Sequence, residues 1–219
     1  MEIHRPGVVR NWRDFLKEVG IIVLGVSIAL AGEEIVSNYN WREEVAVVQD
    51  SVNDELADAL FSAMERVKIA DCQKRTLDRL DQIANESHGT LAIRNAPVRR
   101  IRLWGSAAWD AAIASGAIAH MDHDKRNTYA NLFSFLHLFR DLNIRQEELW
   151  ARIDAYQHPR PLTDESRDRF VETVSQLRAL TGTMNLAALQ FIEQAKPLQL
   201  KLSAQNAADL SKPLQCPLP

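Results

Sequence analysis

Proline is absent from Asn11 to Ser87, and glycine occurs in that stretch only at Gly20, Gly25 and Gly32. Breakers this sparse favour long helices over short strands joined by turns. The whole chain has eight glycines and eight prolines in 219 residues, and no glycine-rich loop that could cradle a phosphate. Strand-like alternation and internal repeats are both lacking. There is no excess of one charge: the net charge is −3 and the pI about 6.1. The basic face that nucleic acid needs is therefore missing, and no nucleic-acid partner is expected. Arg99, Arg100 and Arg102 read as the solvated start of a helix. Cysteine occurs twice, so at most one internal bridge is possible.

Against this stands one long apolar run. Residues 19–32 read Val-Gly-Ile-Ile-Val-Leu-Gly-Val-Ser-Ile-Ala-Leu-Ala-Gly. Arg5, Arg10, Arg13 and Lys17 precede it; Glu33, Glu34, Glu43, Glu44 and Asp50 follow, with Arg42 the one basic residue among them. That asymmetry fits a single span with its N-terminus in the cytoplasm. Fourteen residues cover about 21 Å, short of the roughly 30 Å hydrocarbon core. Three readings stay open on length. A signal peptide fits the basic start and the small-x-small sequence Ala29-Leu30-Ala31. A buried helix of a soluble protein is the second. The third, which we favour, is a retained anchor extended by Phe15, Leu16, Ile35 and Val36, with Lys17 snorkelling to one interface and Tyr39 and Trp41 seated at the other.

The segments Phe15-Leu16-Lys17-Glu18-Val19, Ile22-Val23-Leu24-Gly25-Val26, Ile28-Ala29-Leu30 and Asn40-Trp41-Arg42-Glu43-Glu44 carry a resemblance. Residues 12–60 resemble a group of uncharacterised bacterial single-pass membrane proteins. Members have a short basic N-terminus, one hydrophobic helix ending near an Asn-Trp pair, and an acidic long-helical outer region. This chain departs from them in carrying Glu33-Glu34 where many keep apolar or amide residues. The resemblance implies a topology and no chemistry.

Beyond the run, Val45, Val48, Val52, Leu56, Ala59, Ala63, Val67 and Ala70 recur at three- and four-residue steps, extended by Leu77, Leu80, Ile83 and Ala84. That is the apolar stripe of one long helix, continuous with the anchor, with a kink expected near Ala70-Asp71 and an end near Ser87–Thr90. Leu103, Trp104, Ala107, Ala108, Ala111, Ala112 and Ile113 form a short small-residue helix, with Gly116 as its end or a kink. Asp122 or Asp124 caps the next helix, whose stripe runs Leu132, Phe135, Leu136, Phe139, Leu142, Leu149, Ile153 and Tyr156; Pro159 and Pro161 stop it. Thr163 caps a last long helix, but Ser166 rather than Glu stands three residues on, so a full capping box is not expected. Its stripe is Phe170, Val171, Val174, Leu177, Leu180 or Thr181, Met184, Ala188, Phe191 or Ile192, Ala195, Leu198 and Leu202, with weak points at Gly182 and Pro197.

The fold expected is all-α: one N-terminal transmembrane helix continuing into an elongated antiparallel helical bundle. The long helices would each measure roughly 50–65 Å. The organisation expected is a cytoplasmic segment over 1–18, a transmembrane helix over 19–38, a periplasmic bundle over 39–203 and an irregular tail over 204–219.

Outside the cytoplasm oxidation is allowed, and a Cys72–Cys216 bridge would close a loop of about 145 residues, with roughly 5 kcal/mol as an upper estimate of its effect. The alternative is two unpaired thiols. His120 and His123, beside Asp122 and Asp124, have the spacing of a helical metal pair but sit in an expected turn, and no metal or other cofactor is assigned. Ser106, Ser115 and Ser134 lack a nucleophile context. Glu43-Glu44 and Glu147-Glu148 read as solvated helix faces. Trp104, Trp109, Phe133, Phe135 and Phe139 read as core rather than as a cofactor box.

Gly25, Ala29 and Gly32 share one face of the apolar helix, and small residues so spaced let membrane helices approach closely. The partners expected are therefore the lipid bilayer and another membrane protein or a second copy of the chain. The function expected is that of a non-enzymatic, envelope-facing interaction protein, an accessory or scaffolding subunit of a bacterial inner-membrane complex. The alternative is a periplasmic small-molecule sensing domain that signals through a partner.

Overall fold

A computed structural model describes residues 12–93 and 102–216. The elements are α1 (Trp12–Glu86), β1 (Thr90–Leu91), α2 (Ala107–Ser115), a 3₁₀ turn (Ala117–His120), α3 (His123–Asp154), β2 (Arg160–Pro161), α4 (Asp164–Ala195), a 3₁₀ turn (Lys196–Leu198) and α5 (Ala204–Ser211). The chain divides into two compact units between Val47 and Val48. Arg5 and Arg10, from the basic N-terminal segment, lie outside the described residues, as do Arg99 and Arg100.

The first unit holds the apolar part of α1. Among the described residues, α1 is the helix long and apolar enough to cross a membrane, and none of its 18-residue apolar window is buried in the structure. The second unit is an all-α bundle. Val52, Leu56, Ala59 and Ala63 are buried along α1, as the apolar stripe predicts, and the helix continues through Ala70 and Asp71. Leu77, Leu80 and Ala84 of α1 share one core with Trp150 and Ile153 of α3, Phe170, Val174 and Leu177 of α4, Leu91 of β1 and Ile93 just after it. α4 returns antiparallel to both α1 and α3. α1 and α3 run the same way, since Tyr129 early in α3 meets Asn53 and Gln146 later in α3 meets Arg66; a long connection, residues 87–122, lies between the two helices in sequence. The β1–β2 pairing, Thr90 opposite Pro161 and Leu91 opposite Arg160, ties that connection to the end of α3.

The helix ends follow local chemistry. Gly116 closes α2 in the left-handed conformation at φ 80°, which costs glycine little. Asp122 caps α3, its carboxylate accepting from the N–H groups of Asp124 and Lys125. At α4 the structure corrects the expectation of an incomplete cap. Thr163 Oγ1 accepts from Ser166 N–H, and Ser166 Oγ accepts from Thr163 N–H, so serine completes the capping box in place of glutamate. Within α4, Thr181 and Phe191 are the buried members of the two ambiguous pairs, whereas Val171 is exposed. Gly182 does not interrupt the helix, and Pro197 sits in the 3₁₀ turn that follows it. The tail expected to be irregular over 204–219 contains α5; Ser203 caps it by accepting from Asn206 N–H.

Candidate functional site

Three features of the described residues bear on function, and none has the form of a catalytic centre. The first is the apolar face of α1. Ile21 is 71% exposed and Ile35 70%, so among the described residues these side chains are largely uncovered. Gly25 and Gly32 sit on this helix with open space where a Cβ would stand. Nothing among the described residues requires their missing side chains. Ala29 lies on the same face, four residues from Gly25 and three from Gly32. Lys17 lies 3.8 Å from Asp14 in an exposed ion pair, Tyr39 is exposed, and Trp41 is half-buried.

The second is the strap formed by the C-terminal segment. Cys72 and Cys216 are joined as a disulfide, with Cα atoms 5.7 Å apart and a separation of 144 positions in sequence. The same segment is held twice more. Asn206 Nδ2 donates to Asp58 Oδ1 at 3.0 Å. Lys68 Nζ donates to the carbonyls of Leu210 (2.6 Å) and Lys212, which places a cation at the carbonyl end of α5. The three anchors on α1 occur in the same order as their partners, so residues 206–216 lie along residues 58–72.

The third is an open cleft of about 780 Å³ where α3 ends and α4 begins. Arg152, Arg160 and Arg169 line it, with Tyr156 and Phe170 among the other walls and Glu172 as the one acidic lining residue. Arg169 pairs with Glu165 across 3.5 Å on the exposed helix surface, and Arg160 stands over the Tyr156 ring at 6.0 Å. The edge of Tyr156 packs against Phe170, with centroids 5.0 Å apart. A cleft of this size with a positive rim suits an anionic ligand.

The other residues singled out in the sequence take structural roles. Ser106 Oγ donates to Asp110 Oδ2, Ser115 Oγ to the Ala112 carbonyl and Ser134 Oγ to the Ala130 carbonyl. His123 has Arg126 at Nδ1 and Asn127 at Nε2, each 3.0 Å away. Among the described residues, no three His, Cys, Asp or Glu side chains gather in a way that could hold a metal ion. The aromatic set forms core. Trp104 stacks on Phe139 at 4.2 Å and Trp109 on Phe133 at 5.2 Å, while Phe191 meets both Phe135 and Phe139 edge-on.

Periodicity could not reveal the polar links across the bundle. Glu55 of α1 accepts from the N–H groups of Ala107 (2.9 Å) and Ala108 (3.0 Å), capping α2 from 52 residues away. Arg167 of α4 donates to the carbonyls of Ala84 and Ser87 at the end of α1. Arg178 of α4 reaches Asp78 at 3.1 Å and Asp81 at 2.5 Å.

No family model matches this sequence, and the searches of curated proteins and of solved structures return no match.

Proposed function

We propose that the chain is a membrane-anchored, envelope-facing helical interaction protein, an accessory or scaffolding subunit of a membrane complex rather than an enzyme. Residues 19–38 cross the bacterial inner membrane, residues 1–18 face the cytoplasm, and the bundle lies in the periplasm. One observation carries this reading: an apolar helical surface, Ile21 and Ile35 included, that is exposed among the described residues. Such a surface needs a bilayer or a partner. The basic residues before the run and acidic residues after it support the orientation, and the Cys72–Cys216 bridge suits an oxidising compartment. The resemblance of residues 12–60 to single-pass bacterial membrane proteins supports the same topology. Gly25, Ala29 and Gly32 form the face on which another membrane protein or a second copy docks, since nothing among the described residues fills the space beside Gly25 and Gly32. Purification from the native membrane in mild detergent tests the reading. A stable partner at fixed stoichiometry, or a stable dimer, supports it; a monomer that co-purifies with nothing contradicts it.

The arginine-lined cleft favours a second reading, a sensing domain for an anionic small molecule. A saturable rise in the melting temperature with citrate, abolished in Arg152→Ala/Arg160→Ala, supports that reading. An unchanged melting temperature removes it.

A further inference from the structure

The cleft between the end of α3 and the start of α4 is formed before any ligand arrives. Ile153 and Phe170, both buried in the shared core, lie beneath it, and Tyr156 packs against that core. Backbone contacts fix the connection that carries Arg160 and Pro161. Arg160 pairs with Leu91 in the β1–β2 ladder. Ile93 N–H donates to the Tyr156 carbonyl at 2.8 Å, and Leu162 N–H donates to the Gly89 carbonyl at 3.0 Å. A ligand therefore meets walls already in place, which spares the cost of ordering them.

Charge sets the head of the ligand. Arg152, Arg160 and Arg169 line the cleft. Arg169 pairs with Glu165, and Glu172, the acidic lining residue, accepts from Gln176 Nε2 at 3.0 Å. Among the described residues, Arg152 and Arg160 have no carboxylate partner. Setting Glu165 and Glu172 against the three guanidinium groups leaves one positive charge. A ligand with one negative charge matches it. A tricarboxylate brings two more charges, which give up water without a counter-charge. The planar guanidinium fork suits a carboxylate, which accepts from two of its N–H groups at once.

Apolar surface sets the body of the ligand. The half-buried Tyr156 ring and the exposed Pro161 ring line the same cleft as the arginines. A bare anion leaves both rings in water, whereas an aromatic ring on the same molecule covers them. Guanidinium planes also stack on aromatic faces, as Arg160 does over Tyr156 at 6.0 Å. The cleft volume of about 780 Å³ lies in the range of small-molecule sites. We infer that this cleft binds a monoanionic aromatic carboxylate, its head at the guanidinium groups of Arg152 and Arg160 and its ring against Tyr156 and Pro161. This ligand class rests on the sensing reading of the cleft and narrows it from anions in general to ring-bearing monocarboxylic acids.

The test uses the full chain in mild detergent at pH 7 and constant ionic strength. Melting temperature is followed against 3-phenylpropionate, acetate, 3-phenylpropanol and citrate. Acetate supplies the head alone, 3-phenylpropanol the ring without the charge, and citrate the charge without the ring. We expect a saturable rise with 3-phenylpropionate, at a half-saturating concentration about tenfold or more below those of acetate and citrate. The neutral alcohol should give no saturable rise over the same range. Arg152→Ala/Arg160→Ala removes two exposed side chains, so its ligand-free melting should stay close to that of the parent while the 3-phenylpropionate response is lost. A citrate response with no tighter 3-phenylpropionate response overturns this ligand class and leaves the sensing reading standing. A 3-phenylpropionate response that survives in the double variant, or that the alcohol reproduces, also overturns it. No response to any of the three anions removes the ligand class and the sensing reading together.

Discussion

Cys72 in the interior of α1 is bonded to Cys216 at the end of the C-terminal strap. It is the last of three anchors on that segment, after the Asp58–Asn206 hydrogen bond and the Lys68 contacts to α5. The covalent tie acts on the unfolded chain by closing a loop that spans 144 positions. Its upper effect is about 5 kcal/mol in the chain-entropy account. Cys72→Ser, Cys216→Ser and the double variant should melt lower by the same amount, several degrees or more. Unequal losses among the three would mean that one thiol acts outside the bridge. Mass spectrometry after alkylation without reductant should find no modified cysteine.

The distant cap on α2 gives a sharper test, because Glu55 and Gly105 share a space. A Cβ on residue 105 would stand 2.8 Å from Glu55 Oε1. Glu55→Ala should cost about 1 kcal/mol, as loss of a helix cap does. Gly105→Ala should also destabilise, by pushing the carboxylate away from the Ala107 and Ala108 N–H groups. In the Glu55→Ala background the same glycine substitution should cost clearly less. Denaturant titrations of the four proteins give the cycle; additive losses would show that the clash and the cap are unrelated.

The fold class and most helix ends were legible because they rest on local patterns; the start of α2 was not, since Leu103 and Trp104, expected within it, lie before Ala107 and Leu103 is 93% exposed. The stripe from Val52 to Ala63 is buried as its spacing predicts, and Gly116 and Asp122 end and begin helices for chemical reasons visible in a few residues. Ser166 departs from the expectation for a local reason: its hydroxyl reaches the same backbone N–H that glutamate accepts from in the commoner form of the capping box. The polar interior was not legible. Arg66, Gln146 and Thr181 occupy core positions, yet a search for apolar periodicity passes over them, and their partners lie 80 and 35 residues apart in sequence. The Thr90–Pro161 pairing escaped for a related reason: two-residue strands have too few positions to alternate. The arginine cleft gathers Arg152, Arg160 and Arg169 from either side of a turn, and only folding brings them to one rim.

Acid should weaken the clasp between α1 and α4. Hydrogen bonds from Lys74, and then from Arg178, hold the Asp78 carboxyl below its ordinary range. The folded state therefore releases this proton more readily than the unfolded state. The corresponding stability is present above the unfolded pKa, near 3.8, and is lost as pH falls through the lower folded value. Urea titrations from pH 6 to pH 3 should show a smaller loss in Asp78→Asn than in the parent. Equal losses in the two proteins would remove Asp78 from the account.

Association through the anchor should depend on its small face. Gly25→Ile places a branched side chain where the described residues leave open space, so the bundle should keep its melting temperature. Self-association or partner capture in membranes should fall several-fold. Unchanged association would assign the contact to another face.

The central claim is that residues 19–38 stay in the bilayer and hold the bundle outside the cytoplasm. Its most direct measurement is the N-terminal sequence and mass of the chain recovered from cell membranes washed with alkaline carbonate. The account predicts a membrane-retained chain that still contains residues 19–38 and releases the bundle only when external protease cuts after them. A salt-extractable chain that begins at Gly32, just after the Ala29-Leu30-Ala31 sequence, would contradict it.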